Sequence, residues 1–203
     1  GFGGGGSIVL SGKDFSIDLE QIRFSLKQGE AKRENFVIEN TGQSDLNLLL
    51  DNNLKDFIRM DSAGFVLKKG ERREILIDFM ALEQTDAGLF LGKLFVSSGS
   101  LIKEILVALE IESRNSLFDI KTTIPENFLK IFPGEELVAE IELINFQRVG
   151  IVDTEVNYEI KDVDGNLVLR EQETVAVETK TNFIKSFKIP EDVRPGEYIL
   201  YSN

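Results

Sequence analysis

An all-β chain made of two tandem antiparallel β-sandwiches is predicted by three observations. Apolar residues alternate with period two almost throughout, clusters of turn-forming residues interrupt the alternation at short intervals, and the pattern restarts after a polar break near residue 115. At 203 residues, with 42% hydrophobic and 29% charged side chains, the chain can bury a substantial core, and its length suits two domains of ordinary size.

The elements follow in order. The opening "GFGGGGS", residues 1–7, reads as a flexible linker or processing remnant and is set apart from the fold. Half-buried strands are then expected at Phe15, Ile17 and Leu19; at Ile22, Phe24 and Leu26; at Phe36 and Ile38; at Ile75, Ile77 and Phe79; and at Ile105, Val107, Leu109 and Ile111. "KQGE", "NTGQSD", "KKGE", "TDAG" and "SSGS" supply the turns between them. "LNLLLDNNLKDFI" has room for one helical turn, and its asparagines argue against more. A second series runs through Phe118 and Ile120; Leu137, Ala139, Ile141 and Leu143; Val156, Tyr158 and Ile160; Leu167 and Leu169; and, less regularly, Phe183, Ser186 and Ile189. The boundary falls at residues 113–116, dividing the chain into 8–114 and 115–203, with a connection short enough to restrict the units to hinge bending.

The two series match at two places. "GEAKRENFVIEN" runs from Gly29 to Asn40 and "GEELVAEIELIN" from Gly134 to Asn145, with Phe36 and Ile38 aligned on Ile141 and Leu143, as expected for one core strand repeated. "DAGLF" places Phe90 two residues after Gly88, and "RPGEY" places Tyr198 two residues after Gly196, each where a strand begins. That position resembles the aromatic corner of immunoglobulin-like sandwiches; Phe90 lacks the hydroxyl, so its match is one of packing.

"VIENTGQSDLNL", "FVLKKGERREILIDF" and "GLFLGKLFVSS" make the first unit similar to the Ig-like modules of the major-sperm-protein and abnormal-spindle/hydin class. "FPGEELVAEIELIN", "VDGNLV" and "IPEDVRPGEYIL" make the second resemble Ig-like adhesion and spacer modules of archaeal and bacterial exported proteins. These are turn and strand signatures covering nearly the whole chain, and they bear on fold more than on activity. The resemblance implies an extracellular, cell-surface placement, with anchoring through regions outside this chain. In this alignment "EYILYS" is the penultimate strand of the second unit, so a last strand is expected from further chain or from a partner by β-augmentation.

Composition narrows the chemistry. With no histidine and no cysteine, the commonest general base, the Ser-His-Asp arrangement, disulfides and the usual zinc, copper and iron ligand sets are excluded. The net charge is −12, with 14 basic against 18 acidic residues up to residue 114 and 9 against 17 after it, and no basic run exceeds two residues. Nucleic acid and anionic lipid are therefore not expected partners, and no apolar stretch reaches the roughly 20 residues needed to span a bilayer. No Asn-X-Ser/Thr acceptor occurs.

Candidate sites are few. Asp162, Asp164 and Asn166 surround Gly165 in "KDVDGNLVL"; the glycine comes too early for an EF-hand loop, so the stretch reads as an Asp-Gly hairpin of type I′, with weak cation binding as the competing reading. Glu135 with Glu136, Glu171 with Glu173, and Glu191 with Asp192 are paired carboxylates at turns or exposed strand faces, where they keep ordinary acidity rather than run glycoside hydrolysis. Lys68, Lys69, Arg72 and Arg73 flank a Gly-Glu turn read as a hairpin, where they guard a strand edge or meet an anionic partner. The expectation is a non-catalytic spacer or adhesion module without cofactor, binding neighbouring modules or another protein along exposed strand edges. An intracellular scaffold module of the spindle/hydin type is the alternative, and a carboxylate hydrolase comes third.

Overall fold

A computed structural model describes residues 12, 14–147 and 150–203, so "GFGGGGS" lies outside the described residues. The chain is nearly all strand: β1 (Phe15–Ile17), β2 (Gln21–Lys27), β3 (Ala31–Asn40), β4 (Leu46–Asn52), β5 (Ile58–Met60), β6 (Gly64–Leu67), β7 (Arg72–Met80), β8 (Gly88–Ser98) and β9 (Leu101–Glu112) come first. β10 (Phe118–Thr123), β11 (Glu136–Asn145), β12 (Val152–Asp162), β13 (Leu167–Val177), β14 (Lys180–Lys188) and β15 (Tyr198–Ser202) follow, with one 3-10 turn at Glu126–Phe128.

These strands form four sheets, in the orders β1-β3-β7-β5 and β2-β9-β8-β4-β6, then β10-β11-β14 and β13-β12-β15. Alternate residues of each strand turn inward, as the burial of Leu46, Leu48 and Leu50 or of Ile105, Val107, Leu109 and Ile111 demonstrates. The buried apolar residues collect in two clusters, one from Phe15 to Ile111 and one from Leu137 to Ile189, so each pair of sheets encloses its own core.

Two features of the strand layout depart from the sequence reading. The sandwiches are not wholly antiparallel: β2 runs parallel to β9, Ile22 opposite Val107 and Phe24 opposite Leu109. The chain enters along β3 as β1 and then crosses to the other sheet, reaching the free side of β9 in the same direction. Second, "KKGE" is not a hairpin, because β6 pairs with β4 in one sheet and β7 with β3 and β5 in the other. Arg72 and Arg73 therefore start a central strand and guard no edge. After β4 the chain makes the single turn that the sequence allowed, in which Leu54 O accepts from the N–H groups of Phe57 and Ile58.

The turns before β3, β7 and β11 are built alike. Gly29, Gly70 and Gly134 stand at φ +81°, +73° and +85°, which a side-chain-bearing residue adopts only with strain. The glutamate after each glycine donates its N–H to the carbonyl three residues back, Lys27, Lys68 and Phe132, and its carboxylate accepts from the N–H of that same residue at 2.8–2.9 Å. At the far ends of β3 and β11, Asn40 and Asn145 are buried. Asn40 donates to Ser44 O and Leu67 O and accepts from Gly42 N; Asn145 donates to Val177 O and Glu178 O and accepts from Gln147 N. The internal repeat thus marks a strand clamped at both ends, by a glycine turn and by a buried amide.

Candidate functional site

The edges of the sheets differ between the two units. In the first, β8 lies between β4 and β9; in the second, β15 pairs with β12, and among the described residues nothing pairs with its other side. Asn157 and Asn203 exchange both backbone hydrogen bonds, so alternation along an antiparallel ladder turns the N–H and C=O groups of Tyr198, Leu200 and Ser202 toward the unpaired side.

Beside this edge is an apolar hollow of about 610 Å³, formed between β15, the segment leading into it and the irregular chain around residues 124–133. Its shape follows from local sequence. Pro125 and Pro133 interrupt the chain after β10, and Pro195 and Gly196 bend it into β15, leaving side chains of Phe128, Ile131 and Val193 against the core while Leu129 and Phe132 stay 64% and 75% exposed. Tyr198 fixes the entry to β15: its hydroxyl donates to the carbonyl oxygen of Arg194 at 2.5 Å. Phe90, at the matching place in β8, packs its ring 4.4 Å from that of Phe57.

The hollow's rim carries Lys130, Arg194 and, from β2 of the first unit, Arg23, against the one carboxylate of Glu197. None of these three cations takes part in a salt bridge among the described residues, so the rim is locally positive on a chain of net charge −12.

The hairpin of Asp162, Asp164 and Asn166 has a different role. Gly165 stands at φ +87° and no other residue type has positive φ among the described residues, so the turn is not type I′, which requires two such residues. Instead Gly165 N–H closes a turn on Asp162 O, Asp162 N–H bonds Asn166 O, and the register shifts at Lys161, which pairs with Leu167. The loop has three residues and ends in a left-handed glycine, a form in which Asp164 needs no strained φ. The Asp162 carboxylate accepts from Asp164 N, Asn166 N and Asn166 Nδ2 at 2.8–3.0 Å, and these bonds, the Asn166 amide first, hold its pKa below the usual aspartate range. Its oxygens are thereby committed to the turn, and among the described residues no group of three or more acidic side chains is placed to hold a metal ion.

Asp164 points away from the turn and meets Lys93 of β8 at 3.2 Å; Lys93 also pairs with Glu104 at 3.0 Å, and the two carboxylates, Glu104 foremost, raise its pKa. Val163 and Ile199 lie with Leu91 and Ala108 around a small crevice between the units. Tyr201, on the outer face of β15, has its pKa pushed up to about 12 by burial and by the nearby charges of Glu110, Glu159 and Glu112. The Asp-Gly bend, with Ile199 and Tyr201 of β15, is therefore where the second unit touches the first, a role without a local sequence signal.

The remaining candidates are dispersed. Arg72 pairs with Glu39 at 3.5 Å, Arg73 stacks 4.1 Å from the Phe65 ring centre, and the backbone N–H groups of Lys68 and Lys69 bond Glu71 and Asp45. Glu135 closes its glycine turn, Glu191 lies beside Gly134, and Glu171 and Glu173 both face Lys185, Glu173 also accepting from the buried Tyr158 hydroxyl. Burial and the Glu173 carboxylate push the Tyr158 pKa upward.

No family model and no curated protein matches the chain. Among solved structures it is similar to a protein of unknown function from Porphyromonas gingivalis, with 14% identity, a TM-score of 0.50, and 86% of this chain covered against 83% of the other. It also aligns with a PapD-like domain of human CEP192 at 14% identity and a TM-score of 0.43, over 50% of this chain and 87% of that domain. A chain from the chaperone and tip-adhesin complex of CFA/I fimbriae aligns at 11% identity and 0.41, over 93% and 98%. At such identities a likeness speaks to the β-sandwich fold and no further.

Proposed function

We propose that this chain is a non-catalytic pair of Ig-like β-sandwiches that spaces and presents, and binds other polypeptides along exposed strand edges, within a larger exported cell-surface protein. One observation carries the binding reading: β6 is the end strand of its sheet and carries exposed Val66, with exposed Leu49 beside it on β4, and Leu129 and Phe132 form a second uncovered apolar surface. The spacing reading is supported by the Lys93–Asp164 contact and the short connection between β9 and β10, which limit motion between the units.

A photo-reactive phenylalanine analogue placed in turn at residue 129, at Val66 on the edge strand β6, and at Glu140 on the exposed face of the central strand β11 tests both halves when the protein is added to intact cells of its source. Polypeptide adducts concentrated at 129 or 66 are expected. Adducts no more frequent there than at 140 would overturn edge binding. Labelling of the endogenous protein by a membrane-impermeant amine reagent only after lysis would overturn surface placement.

A further inference from the structure

We infer that the partner of edge strand β6 is a second copy of this chain: two β6 strands pair antiparallel about a two-fold axis and join the five-stranded sheets of two first units into one. The inference rests on the edge-binding reading above and names the occupant of one of its edges.

The backbone of β6 sets the register. Leu50 donates its N–H to Ala63 O at 2.9 Å, so alternation along the ladder with β4 turns Phe65 and Leu67 toward β4 and leaves the N–H and C=O groups of Gly64 and Val66 pointing away from the sheet. Gly64 O also accepts from the Ser62 hydroxyl at 3.2 Å, which uses one of its two lone pairs. The next outward N–H, that of Lys68, is taken by the Glu71 carboxylate. Two residues therefore carry the edge, and a strand that offers the same two in the opposite direction matches it. Gly64 faces the second copy's Val66, Val66 faces its Gly64, and Phe65 lies opposite Phe65 at the axis. Each facing pair of outward residues exchanges both backbone bonds, as an antiparallel ladder requires.

Side chains on the outer face fit the same register. Leu49 stands opposite Gly64, and its Cδ2 lies 2.9 Å from where a Cβ on Gly64 would be, so the leucine leans over the glycine toward the edge and stays exposed. The second copy's Val66, facing Gly64, meets that leucine, and the two-fold repeats the contact with the roles exchanged. Leu49 and Val66, both uncovered in one chain, thereby cover each other in two.

Charge favours the same pairing. The chain enters β6 through Asp61 and leaves it through Lys68 and Lys69, and none of the three takes part in a salt bridge among the described residues. The carboxylates beside the lysines, Glu71 and Asp45, are held by the N–H groups of Lys68 and Lys69. Antiparallel pairing brings the acidic entry of each strand to the basic exit of the other, whereas a parallel pair would set like charges side by side. A two-fold contact also closes on itself, so association stops at two copies.

Sedimentation equilibrium of the intact chain at about 0.15 M salt, where repulsion between two chains of net charge −12 is screened beyond about 8 Å, reads the mass, and hydrogen exchange at low and high concentration reads the edge. The paired strands are four residues long, so the contact is small and a dissociation constant on the order of 100 µM is expected. The mass should rise from that of one chain toward that of two between about 10 µM and about 1 mM, with exchange of the Gly64 and Val66 amides slowing in step. Lys68→Glu combined with Lys69→Glu, and separately Asp61→Lys, should each weaken self-association about tenfold, and mixing the two variants should restore it, because the mixed pair sets opposite charges at both ends. Val66→Pro removes an outward N–H and no ladder bond, and should leave the chain folded and monomeric. A single-chain mass at the highest concentration, a doubled mass with the Gly64 and Val66 amides unchanged, or charge variants that mixing does not restore would each overturn the inference. A single-chain mass with polypeptide adducts at residue 66 overturns it and leaves edge binding standing, whereas adducts no more frequent at 66 and 129 than at 140 remove edge binding itself.

Discussion

Replacing Asn40 by alanine probes the device that ends the repeated core strand. The amide of Asn40 is buried and makes three hydrogen bonds, donating to Ser44 O and Leu67 O at 2.9 Å each and accepting from Gly42 N at 3.0 Å. Alanine removes all three and leaves the Gly42 N–H buried with no partner, which costs about 1–3 kcal/mol, while the Leu67 carbonyl keeps only its place opposite Leu46 in the ladder, so a loss of about 3 kcal/mol is expected. With a urea slope of about 1.5–2 kcal/mol/M, the midpoint of the first unit should fall by about 1.5–2 M. Asn145 holds its carbonyls less closely, at 3.3 and 3.1 Å, and its acceptor bond to Gln147 N is only partly buried; Asn145→Ala should cost about half as much, in the second unit only. Asn40→Asp, which sets an anionic oxygen against two carbonyls, should be at least as damaging as alanine at pH 7 and recover on protonation. Urea unfolding followed by amide exchange of each unit, with tyrosine fluorescence as a second probe of the second unit, where Tyr158, Tyr198 and Tyr201 lie, measures all three. A loss below 0.5 kcal/mol for Asn40→Ala, or a larger loss for Asn145→Ala, would refute the reasoning.

Four further outcomes are expected. Millimolar calcium should leave the melting temperature unchanged, because the Asp162 carboxylate is used by its own turn; a shift of several degrees abolished by Asp164→Ala would contradict this. The lowered pKa of Asp162 means that its contribution is present above the ordinary value of 3.8 and is lost as pH falls through the folded value, so the gap between parent and Asp162→Asn in urea titrations should close at the acid end. Glu110 behaves in the opposite way: burial first, then Glu112 and Asp119, raise its pKa, so stability declines as pH rises from 4.5 through the folded value, and Glu110→Gln should raise the melting temperature at pH 7 and not at pH 4. Tyr198→Phe removes the hydroxyl bond to Arg194 O and should cost about 1 kcal/mol by urea denaturation, and Asp164→Lys should loosen the two units, read as a broader X-ray scattering profile with unchanged melting of each.

Much of this architecture was legible because it is local. Period-two alternation set the inward faces of β3, β7, β9 and β11, and a glycine followed by glutamate specifies its turn within four residues, since only the glycine tolerates the required φ and the carboxylate reaches its own turn's N–H. The Asp-Gly bend was legible as a turn but not as to type, because type I and type I′ loops differ by the conformation of Asp164, which the register of β12 and β13 decides. The polar stretch of β13 from Arg170 to Thr174 gave little alternation to read, since its outward face is charged and its glutamates are met by Lys185 from the facing sheet and, for Glu173, by Tyr158 from the neighbouring β12.

By itself the amino-acid order determined the strand faces, the glycine turns, the repeated core strand with its terminal asparagine and the absence of histidine or thiol chemistry, all of which depend on residue type and spacing of a few positions. Tertiary structure alone decided that β2 lies parallel to β9, that "KKGE" crosses between sheets, that Asp164 meets Lys93, and that Arg23 joins Lys130 and Arg194 beside the open side of β15. Those outcomes depend on which segments distant in the chain become neighbours. That is set by the closing of whole sheets over a shared core, and no local pattern encodes it.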